Sequence, residues 1–318
     1  MTTEFDLIHR HFSPPTHHTV LAGGDDAALI RLTPGAQLVV SADMLVAGHH
    51  FFADDDPVDI GHKALAVNLS DLAAMAAWPR WVTLAIALPE ADDTWVAGFA
   101  RGFLDLAREH DVDLVGGDTT RGPLTIAIQI MGEVMPGGAL RRDGACEGDD
   151  LWVTGTLGDA ALGLAQVRGD RPVAPDHEAI ALARHHRPTP RVAFGRALGG
   201  IASAGIDVSD GLAADVGHVA ARSSVRVVID WAQVPLHPAI QRHRSEPSIR
   251  AAALAGGDDY ELAFTAPRAR RDAIASISAG TGLPVTRCGQ VEAGIGVVIV
   301  DASGAPIVLA QQGYDHFR

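Results

Sequence analysis

Short apolar runs that end in glycine and aspartate recur along this chain, and they limit its fold more than any other feature. The fullest case is Val112-Asp113-Leu114-Val115-Gly116-Gly117-Asp118-Thr119-Thr120-Arg121-Gly122. Its apolar start suits a buried strand, and its glycines let backbone approach a ligand closely. An aspartate just past a strand end, beside exposed amides, can hold a cation that itself holds phosphate. A single Gly-Gly-Asp turn is more often structural than functional, so the argument rests on repetition. Similar turns stand at Gly23-Gly24-Asp25-Asp26 and Gly256-Gly257-Asp258-Asp259-Tyr260-Glu261, with Ser-Asp pairs at Ser41-Ala42-Asp43 (one residue inserted), Ser70-Asp71 and Ser209-Asp210. The irregular spacing excludes a solenoid. What repeats is a local way of presenting carboxylates.

The 318 residues suit two domains of ordinary size. A net charge of −14 argues against nucleic acid or an anionic membrane surface as partner. It permits a phosphorylated substrate if metals intervene. Cys146 and Cys288 are too few and too far apart for a disulfide framework or a zinc site, and read as packing residues. The start, Met1-Thr2-Thr3-Glu4-Phe5-Asp6, carries acids where a signal peptide needs bases. No apolar run reaches the roughly 18 residues of a membrane span, so a cytoplasmic protein is expected. Lys63 is the only lysine. Neither a P-loop, Gly-x-x-x-x-Gly-Lys-Ser/Thr, nor the protein-kinase set of motifs is present. A nucleoside triphosphate bound here has to be neutralised by metal and arginine. The histidines include the pairs His17-His18, His49-His50 and His185-His186, but none has zinc-enzyme spacing.

Along the chain, Leu38 to Ser41 reads as a strand ending at Asp43. Residues 57–77 read as a helix stopped by Trp78-Pro79, with Asn68 and Asp71 on one face. A lone helix Asp is usually a solvated surface group. This helix is apolar enough to be mostly buried, so Asp71 is expected in a cleft with a counter-charge. Asp92-Asp93-Thr94 caps the next helix, whose Trp95, Phe99, Phe103 and Leu106 form a core stripe. A strand is expected before that helix, at 81–88, and another after it, at 124–134; the strand–helix–strand–strand order suits an α+β sheet with helices on one face. Met135-Pro136-Gly137-Gly138 breaks the pattern and sets the domain boundary: 1–137, then 138–318. Arg142 lies on the loop beyond it, where an arginine can clamp phosphate or simply face solvent. In the second half a strand at 149–154 precedes helices from 158, at 176–186 and at 190–203. Ile206-Asp207-Val208-Ser209-Asp210-Gly211-Leu212 presents polar groups just before a helix. Ser209 or Asp210 as a plain N-cap explains one of them, but not Asp207. Further strands are expected near 225–230, 261–265, 284–291, 296–300 and 306–309.

Asp26, Asp43, Asp71, Asp118, Asp207 and Asp210 all fall near strand ends or on helix faces. Two such charges 4 Å apart repel by about 4 kcal/mol at an effective dielectric of 20, so a converging set requires cations. With oxygen donors only, Mg²⁺ is the expected metal. The residues describe a Mg²⁺–nucleotide enzyme.

Eight ordered motifs then carry a resemblance that runs nearly end to end. They are Gly24-Asp25-Asp26-Ala27-Ala28, Ser41-Ala42-Asp43, His50-Phe51, Asn68-Leu69-Ser70-Asp71, Gly116-Gly117-Asp118-Thr119-Thr120, Asp207-Val208-Ser209-Asp210-Gly211-Leu212, Gly257-Asp258-Asp259-Tyr260-Glu261-Leu262 and Gly313-Tyr314-Asp315-His316-Phe317. The chain resembles the thiamine-monophosphate kinases, which share a superfamily with aminoimidazole ribotide synthetase and selenophosphate synthetase. The resemblance implies an α+β, two-domain architecture: an N-terminal Mg–ATP-binding domain that forms a homodimer through its sheet, and a C-terminal α/β domain completing the substrate site. It implies transfer from ATP to thiamine monophosphate, giving thiamine diphosphate. By motif position, Asp26, Ser41, Asp43, Asp71, Asp118, Asp207 and Asp210 are the implied magnesium ligands, with Asp118, Asp71 and Asp210 catalytic. Gly117, Asp118, Arg142 and Ser209 are implied at ATP, and His50, Asp258 and Tyr314 at the thiamine phosphate. Three positions depart from the family pattern: Ala42 for Thr, Asp258 for Glu, and Ala76 for Gly, the last read as a minor change within a helix. Gly256 and Gly257 are read as making the Asp258 loop pliable.

The chemistry agrees with the parts. A phosphate monoester with a second pKa near 6 is already ionised at neutral pH, so no general base is needed and none is evident. Holding two anions in line while Mg²⁺ neutralises them suffices, without a phospho-enzyme. A selenophosphate synthetase would want a reactive Cys near the N-terminus, where this chain has none. A two-metal phosphohydrolase would release phosphate from ATP alone, and a nucleotide sensor would bind Mg–ATP without turnover.

Overall fold

The computed structural model describes residues 4–311 together with 313 and 314. The last of the eight motifs is therefore described only at Gly313 and Tyr314; its remainder lies outside the described residues. Helix α1 (Glu4–His11) precedes a small antiparallel pair, β1 (Thr19–Leu21) and β2 (Leu29–Ile30). Then come β3 (Gln37–Val46), α2 (Pro57–Ala74), β4 (Trp78–Leu88), α3 (Asp93–Glu109), β5 (Asp113–Arg121) and β6 (Thr125–Val134). The second half holds β7 (Asp150–Thr154), α4 (Asp159–Val167), α5 (Glu178–His186), α6 (Val192–Ala197), β8 (Ala204–Asp207), α7 (Leu212–Ser223) and β9 (Arg226–Asp230). It ends with α8 (Pro247–Ala255), β10 (Leu262–Ala266), α9 (Arg271–Thr281), β11 (Val285–Glu292), β12 (Gly296–Val300) and β13 (Pro306–Ile307). Two compact units result. One holds the residues up to Leu72 and Ala77–Pro136, the other Ala73–Ala76 and the chain from Gly137 on.

The first unit is built on a four-stranded sheet in the order β3-β6-β4-β5. Strand β6 runs antiparallel to both β3 and β4, while β4 and β5 are parallel, joined by α3 as the crossover that parallel neighbours require. Alternation sorts the faces. Ile126, Ile128 and Ile130 of β6 and Val82, Leu84 and Ile86 of β4 are buried, together with Leu65, Leu69 and Leu72 of α2 and Phe99, Phe103 and Leu106 of α3. Asp92 caps α3 as expected, its carboxylate accepting from the amides of Thr94 and Trp95. Gly61 of α2 and Gly102 of α3 sit where the helices cross, and a Cβ on either would strike the other helix's backbone. The opposite edge of the sheet is different: Leu38, Val40 and Met44 of β3 are 42%, 47% and 59% exposed.

Three expectations are corrected here. Helix α2 ends at Ala74, and Ala76 is not inside a helix but in the left-handed region (φ 56°). The amides of Ala76 and Ala77 donate to the carbonyls of Ala73 and Leu72 (3.1 and 2.9 Å), closing the helix as a left-handed cap. Second, Gly116-Gly117-Asp118 is not a turn beyond a strand. Strand β5 continues through it to Arg121, because its parallel pairing with β4 resumes after an irregularity in which Val82 and Thr83 face Leu114 and Gly116. A Cβ on Gly117 would fall onto the Leu84 backbone, so only glycine allows that approach. Asp43 likewise lies within β3 and not at its end.

The second unit is built on a seven-stranded sheet, β13-β12-β9-β11-β7-β10-β8, antiparallel throughout except for β9 and β12. Its core includes Leu151 and Val153 of β7, Val227 and Ile229 of β9, Leu212, Val216 and Val219 of α7 and Leu254 of α8. Helix α6 stops at Ala197, well short of the expected 203, since Gly199 and Gly200 (φ 73°) follow at once. In this sheet β7, β8 and β10 lie side by side. The motif at 207–211 leaves β8, and the motif at 256–261 enters β10, so pairing these two strands brings both motifs to one edge.

Candidate functional site

In the first unit, Ser41 and Asp43 are two apart on β3 and pair with Ile130 and Ile128, which puts both side chains on the helix-covered face. Asp71, in the last turns of α2, reaches them: Ser41 Oγ donates to Asp71 Oδ2 at 2.5 Å. Burial, and after it the charge of Asp71, pushes Asp43 up to about 6. One turn earlier on α2, Asn68 is fully buried, and its Nδ2 donates to the Ala64 carbonyl. Asp118 does not join this group. It pairs with Ala85, in register with Ala127 of β6, and is exposed on the other face of the sheet. Asp26 lies on the exposed loop between β1 and β2, where its amide donates to Asp25. His50 sits on the loop after β3. The Val46 amide donates to its Nδ1 (3.0 Å), which leaves the proton on Nε2.

The second unit gathers more of the expected set. Asp207 ends β8 and is 4% exposed. The chain after it is stitched to the 256–261 loop by backbone hydrogen bonds. The Val208 amide donates to Glu261, the Tyr260 amide to Val208 and the Asp258 amide to Ser209, all at 2.8–2.9 Å. The Tyr314 amide donates to the Asp210 carbonyl at 3.1 Å. Ser209, Asp210, Asp258 and Tyr314 are thereby held together. Gly257 serves this closeness: a Cβ there would press on the Ser209 carbonyl at 2.5 Å. The glycines of this loop permit its close packing.

Neither Ser209 nor Asp210 caps α7. Gly211 (φ 111°) is the N-cap residue and offers no side chain. Asp215, in the first turns of the helix, reaches back, and one carboxylate oxygen accepts from the amides of both Ser209 and Asp210 (3.1 Å each). Burial, then the charges of Asp207 and Asp210, pushes Asp215 up to about 8. The sequence reading missed Asp215. The available signal was a third acid five residues after Asp210, on the inward face of an apolar helix.

Under the same loop lies a buried charge network. Glu261, fully buried, accepts from Thr154 Oγ1 and Arg191 Nε at 2.7 Å each and also pairs with Arg184. Asp259 accepts from the amides of Gly158 and Ala160 (2.8 and 3.4 Å) at the start of α4. Burial holds its pKa well above the usual carboxylate range although those donors pull the other way. Arg142 lies elsewhere. Ser223 Oγ donates to its carbonyl (2.8 Å), which anchors it at the far end of α7 from Ser209, a helix of 12 residues and so about 18 Å long at 1.5 Å per residue.

Comparisons with known proteins find relatives over nearly the whole chain. The N-terminal domain family of AIR synthase related proteins matches residues 24–134, and the corresponding C-terminal domain family matches 147–301. The thiamine-monophosphate kinase of Escherichia coli (strain K12) is 44% identical over 318 residues, covering 99% of this chain and 98% of that one. Among solved structures, the thiamine-monophosphate kinase from Stenotrophomonas maltophilia K279a superposes with a TM-score of 0.83 at 48% identity, over 89% of this chain and 91% of that one. AaThiL complexed with AMPPCP and TMP gives 0.79 at 32% identity, over 92% and 91%.

Proposed function

The chain belongs to the thiamine-monophosphate kinase family, and from that membership we propose how its residues carry out the reaction. The enzyme phosphorylates thiamine monophosphate to thiamine diphosphate at the expense of ATP. The observation that carries this to individual residues is the stitching of Ser209, Asp210, Asp258 and Tyr314 into one cluster by main-chain hydrogen bonds. In our reading Ser209 faces ATP, with Gly117, Asp118 and Arg142 as its other contacts. His50, Asp258 and Tyr314 face the acceptor. For Arg142 the support is the resemblance alone.

The donors fit Mg²⁺. They are oxygens throughout, and they come as acids pressed together: Asp43 against Asp71, and Asp207 and Asp210 against Asp215. Among the described residues no group of three or more His, Cys, Asp or Glu could hold a metal alone. That suits an ion that takes one or two carboxylates and completes its shell with water and substrate phosphates. Ser41, Asp43 and Asp71 of the first unit would hold Mg²⁺, as would Asp207 and Asp210 of the second, with Asp26 and Asp118 as further ligands. When bound, Mg²⁺ neutralises charge on the transferring phosphates. Asp71, Asp118 and Asp210 matter most for turnover.

The acceptor is already an ionised phosphate, so no side chain has to remove a proton, and transfer is direct and in line. Two further readings go with this. The apolar residues Leu38, Val40 and Met44 exposed on β3 supply a surface for a homodimer. The acidic charge, and the lack among the described residues of a helix long and apolar enough to cross a membrane, support a cytoplasmic enzyme that binds neither nucleic acid nor membrane. The test is a product assay with ATP, Mg²⁺ and either thiamine monophosphate or thiamine. Thiamine diphosphate should form from the monophosphate, with little turnover on thiamine. Comparable rates on the two acceptors, or phosphate release from ATP at the same rate without either, would overturn the reading.

A further inference from the structure

The loop at 256–261 turns its side chains alternately in and out. Asp259 and Glu261 point inward and are anchored, the first on the start of α4 and the second on Thr154, Arg184 and Arg191. Asp258 and Tyr260 are left on the outer side, both half-buried. Both adopt left-handed backbone, φ 69° and 49°. That conformation is strained for any side chain with a Cβ, and more so for one as large as tyrosine. It persists because the anchors and the amide bonds to Ser209 and Val208 leave the loop no other path. The result is that Tyr260 Oη donates to Asp258 Oδ1 at 3.2 Å, while His185 Nδ1 of α5 stands 3.7 Å from Oδ2.

We propose that Tyr260 is a positioning residue for Asp258, holding its carboxylate in one orientation toward the thiamine phosphate. The proposal rests on the reading above that Asp258 faces the acceptor. Its physical basis is the short side chain. Where the family's usual glutamate would extend to its partner, an aspartate one methylene shorter meets it only if its carboxylate plane is set correctly. A phenol bonded to one oxygen removes that rotational freedom before substrate arrives, and pre-organisation of this kind appears as affinity. The strained backbone at 258 and 260 is what brings the two side chains face to face.

The test compares wild type, Tyr260→Phe, Asp258→Ala and the double variant for kcat, both KM values and Tm. Tyr260→Phe keeps the ring and backbone and loses only the hydroxyl. It should raise KM for thiamine monophosphate roughly three- to tenfold, with kcat and KM for ATP within about twofold and Tm nearly unchanged. In the Asp258→Ala background the same change should add nothing, because the group it positions is gone. If Asp258→Ala weakens the acceptor and Tyr260→Phe does not, the proposal fails while the assignment of Asp258 stands. A Tyr260→Phe effect that persists in full without Asp258 also overturns it, since the phenol then acts through its own contact. An unchanged acceptor KM in Asp258→Ala removes the assignment of Asp258 and the role of Tyr260 with it. A wild type inactive on thiamine monophosphate would instead sink the functional reading itself.

Discussion

At the scale of single residues, Ala76 and Asp118 make opposite points. Ala76 occupies a left-handed helix cap where glycine meets no penalty. Ala76→Gly should therefore stabilise the protein by about 1 kcal/mol, less what glycine regains in chain entropy on unfolding. Urea unfolding would measure it, and an unchanged midpoint would mean that the surrounding chain has absorbed the strain. Asp118 is exposed on the uncovered face of its sheet. A substitution there perturbs little packing, and Asp118→Asn should melt within about 0.5 kcal/mol of wild type. If Asp118 serves metal-bound ATP, the same variant should lose several orders of magnitude in kcat/KM. Substantial activity at saturating Mg²⁺ would remove it from the catalytic set.

At the scale of elements, the site of the second unit is a helix start turned to an unusual use. The first amides of α7 and the loop before it are commonly satisfied by a Ser or Asp side chain from the cap position. Here Gly211 holds that position and Asp215 supplies the acceptor from within the helix, so neither Ser209 nor Asp210 serves as the cap. Burial raises the pKa of Asp215, and the neighbouring charges of Asp207 and Asp210 add to it. A divalent cation bound there, as proposed, would relieve that repulsion. Adding Mg²⁺ without nucleotide should raise Tm, because an ion that binds only the folded state stabilises it by mass action. Asp210→Asn should raise the metal-free Tm by removing one charge and shrink the Mg²⁺-dependent rise. The same Mg²⁺ shift in both proteins would exclude Asp210 as a ligand.

At the scale of the whole molecule, the two faces of the four-stranded sheet carry different burdens. One is sealed by α2 and α3, while the other leaves Val40 and Met44 of β3 open to solvent. Apolar side chains clustered on a sheet face favour association with a second copy. Val40→Glu should convert a dimer to folded monomers in sedimentation velocity, since the position is already exposed and its change disturbs no core. A dimer that survives both this and Met44→Glu would place the interface elsewhere.

How much of this was legible in the sequence depended on whether the signal was local. The apolar stripe of α3 and its Asp92 cap, the alternation of β6, and the motif order that marks the family are written in neighbouring residues, whose spacing alone sets which side they face. The hairpin of β1 and β2 and helices α8 and α9 went unread because their periodicity is weak over so few residues. The paired roles of Asp258 and Asp259 were beyond reach for another reason. Adjacent, and identical in kind, they part only because the strand pairing of β8 with β10 aims one at Tyr260 and buries the other on α4. The turn expected at Gly116-Gly117-Asp118 became strand for the same cause, since pairing with β4 outweighed the local preference of two glycines. Sequence alone thus determined the family, the chemistry and the residue types available. That Asp71 meets Asp43, 28 residues away, was decided by long-range packing of a helix on a strand, which no window of neighbouring residues contains.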